Sequence, residues 1–369
     1  MTEASSLTSH LSVVMTTVQV DFTMTTDENT ETSLLSYGTD FYLEYAVIII
    51  GIAGTAANGL VLYALVASKQ HKKQVLIVNQ NALDLASCSF LIIIYTLKIS
   101  NISLKGLLGY WLCMLLLSEN LLWFAIDASV INLAVISIER YLKVVHHIWS
   151  KNNLRKWMIY SSAVLPWVIS FIYNMTVAFL TSAVIDGVCH GVVIWDDHVA
   201  KIAHGIWHFV SFYVIILLIF ILCYWRILAT IRHQARVMAS HNTVGSAQPT
   251  ADQCHKSQMQ SNVAKTMIFV CAFFAIAWLP ENVYYVLVEF NTKLTFLETK
   301  YYAVVFVSFL YICTNPLIYA TKYDPVKRVL LNLVFCKKIE QLIVGLRAAV
   351  RGMLRVLPNQ IFFGGPQFG

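Results

Sequence analysis

WLCMLLLSENLLWFAIDASVINLAVISIERY, Trp111 to Tyr141, is nearly all apolar from Leu112 to Ile138 and closes on an acid and an arginine side by side. Only Ser118, Glu119, Asn120, Asp127, Ser129, Asn132 and Ser137 interrupt the apolar run. A bilayer core ~30 Å thick needs roughly 20 helical residues, so this stretch crosses a membrane with length to spare. Glu139-Arg140-Tyr141 then falls at a water boundary. There the guanidinium either pairs with its neighbouring carboxylate or releases it for the carbonyls and carboxylates of another protein. Two alternatives for one strong fork donor make a switch.

The rest of the chain is of the same kind. Of its 369 residues, 58% are hydrophobic and 12% charged, and the mean hydropathy is +0.65. That composition excludes a soluble domain of this length and implies several membrane spans. The net charge of +6 would otherwise raise nucleic acid, but the basic residues sit in short runs between apolar segments, as topology requires. Eight cysteines are scattered without a Cys-x-x-Cys pair, which leaves zinc and redox sites without support. No set of nucleophile, base and oxyanion donors is apparent, so enzymatic activity is not expected.

Seven segments follow from the pattern: about Tyr42–Ser68, Val75–Ile99, Leu112–Ile138, Leu154–Leu180, Val199–Val237, Met259–Phe290 and Leu294–Thr321. The first carries Gly54, Ala57, Asn58 and Gly59, small residues that let helices approach closely in lipid, and an Asn that must face protein. The second carries Asn79, Asn81 and Asp84; a carboxylate deep in a span marks a functional site. The fourth contains Trp157 and Pro166, the sixth Trp278-Leu-Pro280, and the seventh Asn315-Pro316-Leu-Ile-Tyr319. Of 26 Lys and Arg, five (Lys98, Lys105, Lys201, Lys293, Lys300) fall on one set of connections and the other 21 on the opposite set. That asymmetry predicts an extracellular N-terminus and a cytoplasmic C-terminus in the plasma membrane.

Asn58, Asp84, Glu139-Arg140-Tyr141, Trp278-Leu-Pro280 and Asn315-Pro316-x-x-Tyr319, in this order and on these segments, resemble the rhodopsin-like (class A) G-protein-coupled receptors, of neuropeptide-receptor type. The resemblance covers about residues 42 to 336. It implies an all-α membrane fold: a seven-transmembrane helix bundle (41–323), a short amphipathic juxtamembrane helix (324–336), a disordered extracellular tail (1–40) and a cytoplasmic tail (337–369). The tail 1–40 has no Lys or Arg and no apolar core followed by a cleavage site, so the first span is expected to act as an uncleaved signal anchor.

The resemblance also assigns roles. Arg140 with Glu139, Tyr141, Tyr224 and Tyr319 would form the G-protein switch, and Ile148 would be an apolar knob entering the G protein. Phe274, Trp278, Pro280, Asn315 and Pro316 would form the activation hinge. Asn58, Asp84, Ser129 and Asn315 would make a mid-membrane polar core, with Asp84 and Ser129 as ligands of an allosteric sodium ion; the other reading is that Asp84 is only hydrogen-bonded, or protonated. Tyr311 stands where a small polar residue often helps the ion. Cys113 and Cys189 would be bridged. Cys113 lies two residues farther from Arg140 than is usual, so either the third helix begins with a bulge or its outer register is shifted. Ile216 stands where the fifth span usually has a proline, and Gln260 near where an acid often meets the arginine.

Counted from Arg140, Leu122 takes the position of the acid that marks amine receptors, and Phe309 that of the retinal lysine of opsins, so neither ligand is expected. An acidic, aromatic mouth remains: Glu119, Trp123, Asp196, Asp197, His208, Glu281, Asn282, Tyr285, Glu289 and Tyr301, with Leu122 and Trp278 beneath it. Acids attract a cationic ligand and aromatics stack on arginine, which predicts a basic or amidated peptide. Asn101 is an expected glycosylation acceptor and Cys336 an expected palmitoylation site. From Ile339 to Leu357 the tail reads as a basic amphipathic helix with Arg347, Arg351 and Arg355 on one face, suited to anionic membrane lipid or to a calmodulin-like partner. Arrestin would have to use Ser240, Thr243, Ser246 and Thr250. The competing reading is a transporter or channel with Asp84 as ion or proton relay, which an odd number of spans without an inverted repeat disfavours.

Overall fold

A computed structural model describes residues 28–100, 102–191, 198–242, 251–290, 299–322 and 326–333. The elements in order are α1 (Glu28–Ala67), α2 (Val75–Ile99), α3 (Gly106–Leu112), a π turn (Cys113–Leu117), α4 (Asn120–Val145), α5 (His147–Asn153) and α6 (Lys156–Thr181). Then come strands β1 (Ala183–Ile185) and β2 (Val188–His190), α7 (His198–His208), a second π turn (Phe209–Val214), α8 (Ile215–Asn242), α9 (Ala251–Phe290) and α10 (Thr299–Lys322). Residues 326–333 are helical. Among the described residues six helices are long and apolar enough to cross a membrane, and α10 carries a shorter apolar stretch, Ala303–Cys313. These seven are the expected spans; the third is α3, π turn and α4 together, the fifth α7, π turn and α8.

One boundary differs. The first helix begins at Glu28, so part of the segment read as a disordered tail, 28–40, is helical. Extending an existing helix costs far less than starting one, a cooperative effect that a compositional reading overlooks. The tail before Glu28 and the tail after 333 lie outside the described residues.

The third span is the hub. Of its apolar 18-residue stretch 67% is buried, against 22–44% for the corresponding stretches of the other long spans, and it packs on the second, fourth and fifth. The outer faces stay apolar: Val164, Leu165, Val168, Phe171 and Ile172 of α6 are all exposed, as lipid solvation demands. The first span approaches the second and seventh through Gly54, where a methyl group would lie 2.5 Å from the sulfurs of both Cys88 and Cys313. It ends at Lys69, in the left-handed conformation (φ 55°), with the N–H groups of Gln70 and His71 returning to the Leu65 carbonyl at 3.0 and 3.2 Å, a C-terminal capping arrangement.

The two extra residues ahead of Arg140 are absorbed as a bulge. Cys113–Leu117 is wound as a π turn, and Glu119 then takes φ 61° before α4 starts. The fifth span has its own π turn, Phe209–Val214, immediately before the buried Ile216. β1 and β2 pair antiparallel, with Val184 opposite Cys189. Asp186 and Gly187, both at positive φ (52° and 79°), form the two-residue turn that a right-twisted hairpin favours. A disulfide joins Cys113 to Cys189 and ties the hairpin to the third span.

Candidate functional site

At the hairpin end the spans enclose a cavity of 770 Å³. The hairpin covers it, through Asp186, Gly187, Val188 and Cys189. The third span presents Asn120, Trp123 and Asp127, spaced i, i+3, i+7 on one helix face. Of the residues expected at the mouth, Glu119, Trp123, His208, Glu281, Tyr285 and Tyr301 line the wall. Leu122, Trp278 and Asn282 do not. Leu122 is fully buried in the hydrophobic core, because the left-handed Glu119 sets the register so that its neighbour Trp123 faces inward. Asn282 donates to the Glu281 carboxylate (2.9 Å) and to the Trp278 carbonyl (2.9 Å) and so holds Glu281 from behind. Asp196, Asp197 and the side chain of Glu289 lie outside the described residues.

The acids of the cavity are not equivalent. Glu119 is ion-paired with Lys98, whose ammonium also sits 4.9 Å from the centre of the Tyr95 ring. Asp127 and Glu281 have no cationic partner among the described residues. Each receives one amide donor, Asp127 from Asn174 (2.9 Å) and Glu281 from Asn282 (2.9 Å). Beside them runs a hydrogen-bond chain: Tyr285 to His204 (3.3 Å), His204 to the Tyr173 hydroxyl (3.2 Å), and Tyr173 to His208 (3.1 Å). It joins the sixth, fifth and fourth spans. Asp127, Asn174, Tyr173 and His204 are absent from the sequence expectation. The i+4 step from Trp123 to Asp127 was the available signal, but it emerges only once the register of Trp123 is known.

From the floor an aromatic path leads inward. Trp123 meets Trp278 at 6.4 Å between centroids, Trp278 meets Phe274 at 6.3 Å, and Phe274 meets Phe220 at 5.5 Å and Tyr311 at 5.8 Å. Such edge and tilted contacts hold rings in defined orientations. Pro280 lacks the N–H that would bond the carbonyl one turn back. On either side of that position the Ala275 and Ala277 carbonyls accept hydroxyls from Tyr213 of the fifth span (2.8 Å) and Ser308 of the seventh (3.2 Å). The proposed hinge set is thus bound to its neighbours on both sides.

In mid-bundle, Asp84 accepts from Ser129 (2.6 Å), Gln80 (3.3 Å) and Asn315 (3.0 Å). Asn58 does not join this cluster; its amide donates to the Gly54 carbonyl (3.0 Å) and reaches the Cys88 sulfur (3.8 Å). Gln80, which the sequence reading passed over, is completely buried at the centre.

At the other end Arg140 is held by Glu139 at 3.1 Å and donates to Gln74, just before the second span. Lys143 also pairs with Glu139. Tyr224 is buried and shares a hydrogen bond with Ser137 (3.0 Å). Tyr141 shares one with His146 (3.1 Å). Ile148 is 79% exposed on α5. The side chains of Gln260 and Tyr319, with Asn101 and Cys336, lie outside the described residues.

The third span thus carries a cavity wall at one end and the paired Arg140 at the other. Residues 57–319 match the family described as 7 transmembrane receptor (rhodopsin family). The chain belongs to that family. Among its relatives the receptor is 25% identical to the gonadotropin-releasing hormone II receptor of Clarias gariepinus over 64% of this chain and 62% of that one. It is 24% identical to galanin receptor 2a of Danio rerio (74% and 72%) and 24% identical to the tachykinin-like peptides receptor 86C of Drosophila melanogaster (53% and 39%). The matched region thus spans between about two fifths and seven tenths of these relatives' lengths. Family membership leaves the transporter reading without support.

Proposed function

We propose that this receptor takes an extracellular basic peptide into the hairpin-capped cavity and answers by activating a heterotrimeric G protein at the Arg140 end. The supporting observation is the pair Asp127 and Glu281: two buried carboxylates without a cationic partner among the described residues, on the wall of a cavity that Glu44, Glu119 and Asp186 also line, Glu119 being already paired with Lys98. An uncompensated charge in a low-dielectric interior is expensive, and a ligand guanidinium or ammonium relieves it. The aromatic lining suits such a group, and the printed name of the fly relative gives peptides as its ligands. Docked there, a ligand touches Trp123 and through it the Trp278–Phe274 path. An outward swing of the sixth span about Pro280 would open the inner groove and free Arg140 from Glu139 and Gln74.

In this reading the N-terminus is extracellular and the C-terminus cytoplasmic, in the plasma membrane, as the Lys and Arg distribution favours. Glycan at Asn101, palmitate at Cys336, arrestin contact through Ser240 to Thr250 and lipid contact through the Arg347–Arg355 face belong to the same proposal. The test is a library of basic and amidated peptides read out through a promiscuous G protein in cells expressing the full chain. A response is expected, and Arg140→Ala abolishes it while surface expression persists. Full signalling in Arg140→Ala, or solute flux in liposomes lacking any G protein, overturns the assignment. Silence across the library removes the peptide.

A further inference from the structure

The expectation of a sodium ion at Asp84 and Ser129 does not fit the donors that surround them. A hard cation takes oxygen lone pairs. Here those lone pairs face N–H groups: the Gln80 amide nitrogen lies 2.5 Å from Ser129 Oγ and 3.3 Å from Asp84 Oδ1. Ser129 in turn donates its hydroxyl to Asp84, and Asn315 donates to the other Asp84 oxygen.

The orientation of an amide is decided by its network, and this network has a fixed end. Trp167 Nε1, on the fourth span, donates to Asn79 Oδ1 (2.9 Å), and an indole nitrogen can only donate. Asn79 Nδ2 therefore points away and donates to Asn132 Oδ1 (2.9 Å) and to the Ala163 carbonyl (2.9 Å). Asn132 Nδ2 then donates to Gln80 Oε1 (2.9 Å) and to the Leu76 carbonyl (3.1 Å). With its oxygen so engaged, Gln80 has only its NH₂ left for Ser129 and Asp84. Turning Gln80 over would set NH₂ against NH₂ at Asn132. Turning Asn132 and Asn79 as well would lose the Leu76 and Ala163 carbonyls and end with an NH₂ facing the indole N–H. Each reversal leaves buried donors unpaired, so the polarity runs one way from Trp167 to Asp84.

We propose that the mid-membrane core of this receptor is closed by an amide in place of a cation: Gln80, oriented from Trp167 through Asn79 and Asn132, sets its N–H donors on the two oxygens that an ion would need. The inference is independent of the ligand and of the G protein. It is tested on the purified full-length receptor by its melting temperature in sodium chloride and in choline chloride at equal ionic strength, with sodium itself as the probe.

Wild type is expected to melt at the same temperature in both salts. Gln80→Leu frees both oxygens and is expected to gain a sodium-specific rise of about 3 °C, which a further Asp84→Asn removes. Gln80→Glu, which keeps the shape and the bond from Asn132, serves where Gln80→Leu does not fold and is expected to gain sodium dependence too. A sodium-specific rise in wild type that Asp84→Asn abolishes overturns the proposal. So does a folded Gln80→Leu or Gln80→Glu that remains as indifferent to sodium as wild type.

Discussion

Asp84 and the pair Asp127 with Glu281 are all carboxylates buried within spans, yet the bundle treats them differently. Asp84 is enclosed by three side-chain donors drawn from the second, third and seventh spans, behind which stand two more amides and an indole. Asp127 and Glu281 have one amide each and a cavity in front of them. A carboxylate held by three donors from three spans is cement, since removing it strands buried donors. A carboxylate left short of donors beside an open volume has room for a partner from outside. The difference separates enclosed from cavity-facing acids in one molecule, although residue type and depth alone would rank them together.

The largest expected effect tests the open pair. Asp127→Asn with Glu281→Gln should reduce the potency of a cationic agonist by about 100-fold, within the ~2–5 kcal/mol typical of truncating a buried charge pair at an interface. Thermal stability should be unchanged or higher, because two buried carboxyls without a cationic partner among the described residues are gone. A double variant with wild-type potency in a concentration–response assay would break the contrast.

The closed core should behave in the opposite way. Asp84→Asn is expected to lose about 2–3 kcal/mol of stability, seen as a lower melting temperature, because the Gln80, Ser129 and Asn315 donors lose a charged acceptor. Agonist affinity should move little. Equal stability with lost affinity would reverse the roles assigned to the two sites.

Between them lies the aromatic path. Trp123→Ala should lower the maximal response several-fold at saturating agonist, in keeping with couplings of about 0.5–2 kcal/mol along packed networks; an unchanged maximum with only a shifted midpoint would make Trp123 a wall and no more. The smallest effect is expected at the far end. Gln74→Ala removes one donor contact of Arg140 and should raise basal nucleotide exchange by roughly threefold, and a basal rate at or below wild type would exclude Gln74 as a restraint.

Membrane class, seven spans and family were all legible in the chain, because each rests on local signals. Span length follows from bilayer thickness, and Glu139-Arg140-Tyr141 or Asn315-Pro316 are contiguous words. The hairpin too was written plainly, as Asp186-Gly187 between short apolar runs, although the sequence reading did not take it up. Register was not legible. A π turn and one left-handed residue at Glu119 decide that Trp123 and Asp127 face the cavity while Leu122 is buried, and no periodicity announces where a helix slips. Nor could the chain say that Asn58 would turn to Gly54, or that Gln80 would enter the Asp84 cluster and be oriented from Trp167, 87 positions away in the sequence. Amides are unmarked in sequence, since each can donate or accept, and only packing against neighbours from other spans fixes which they do.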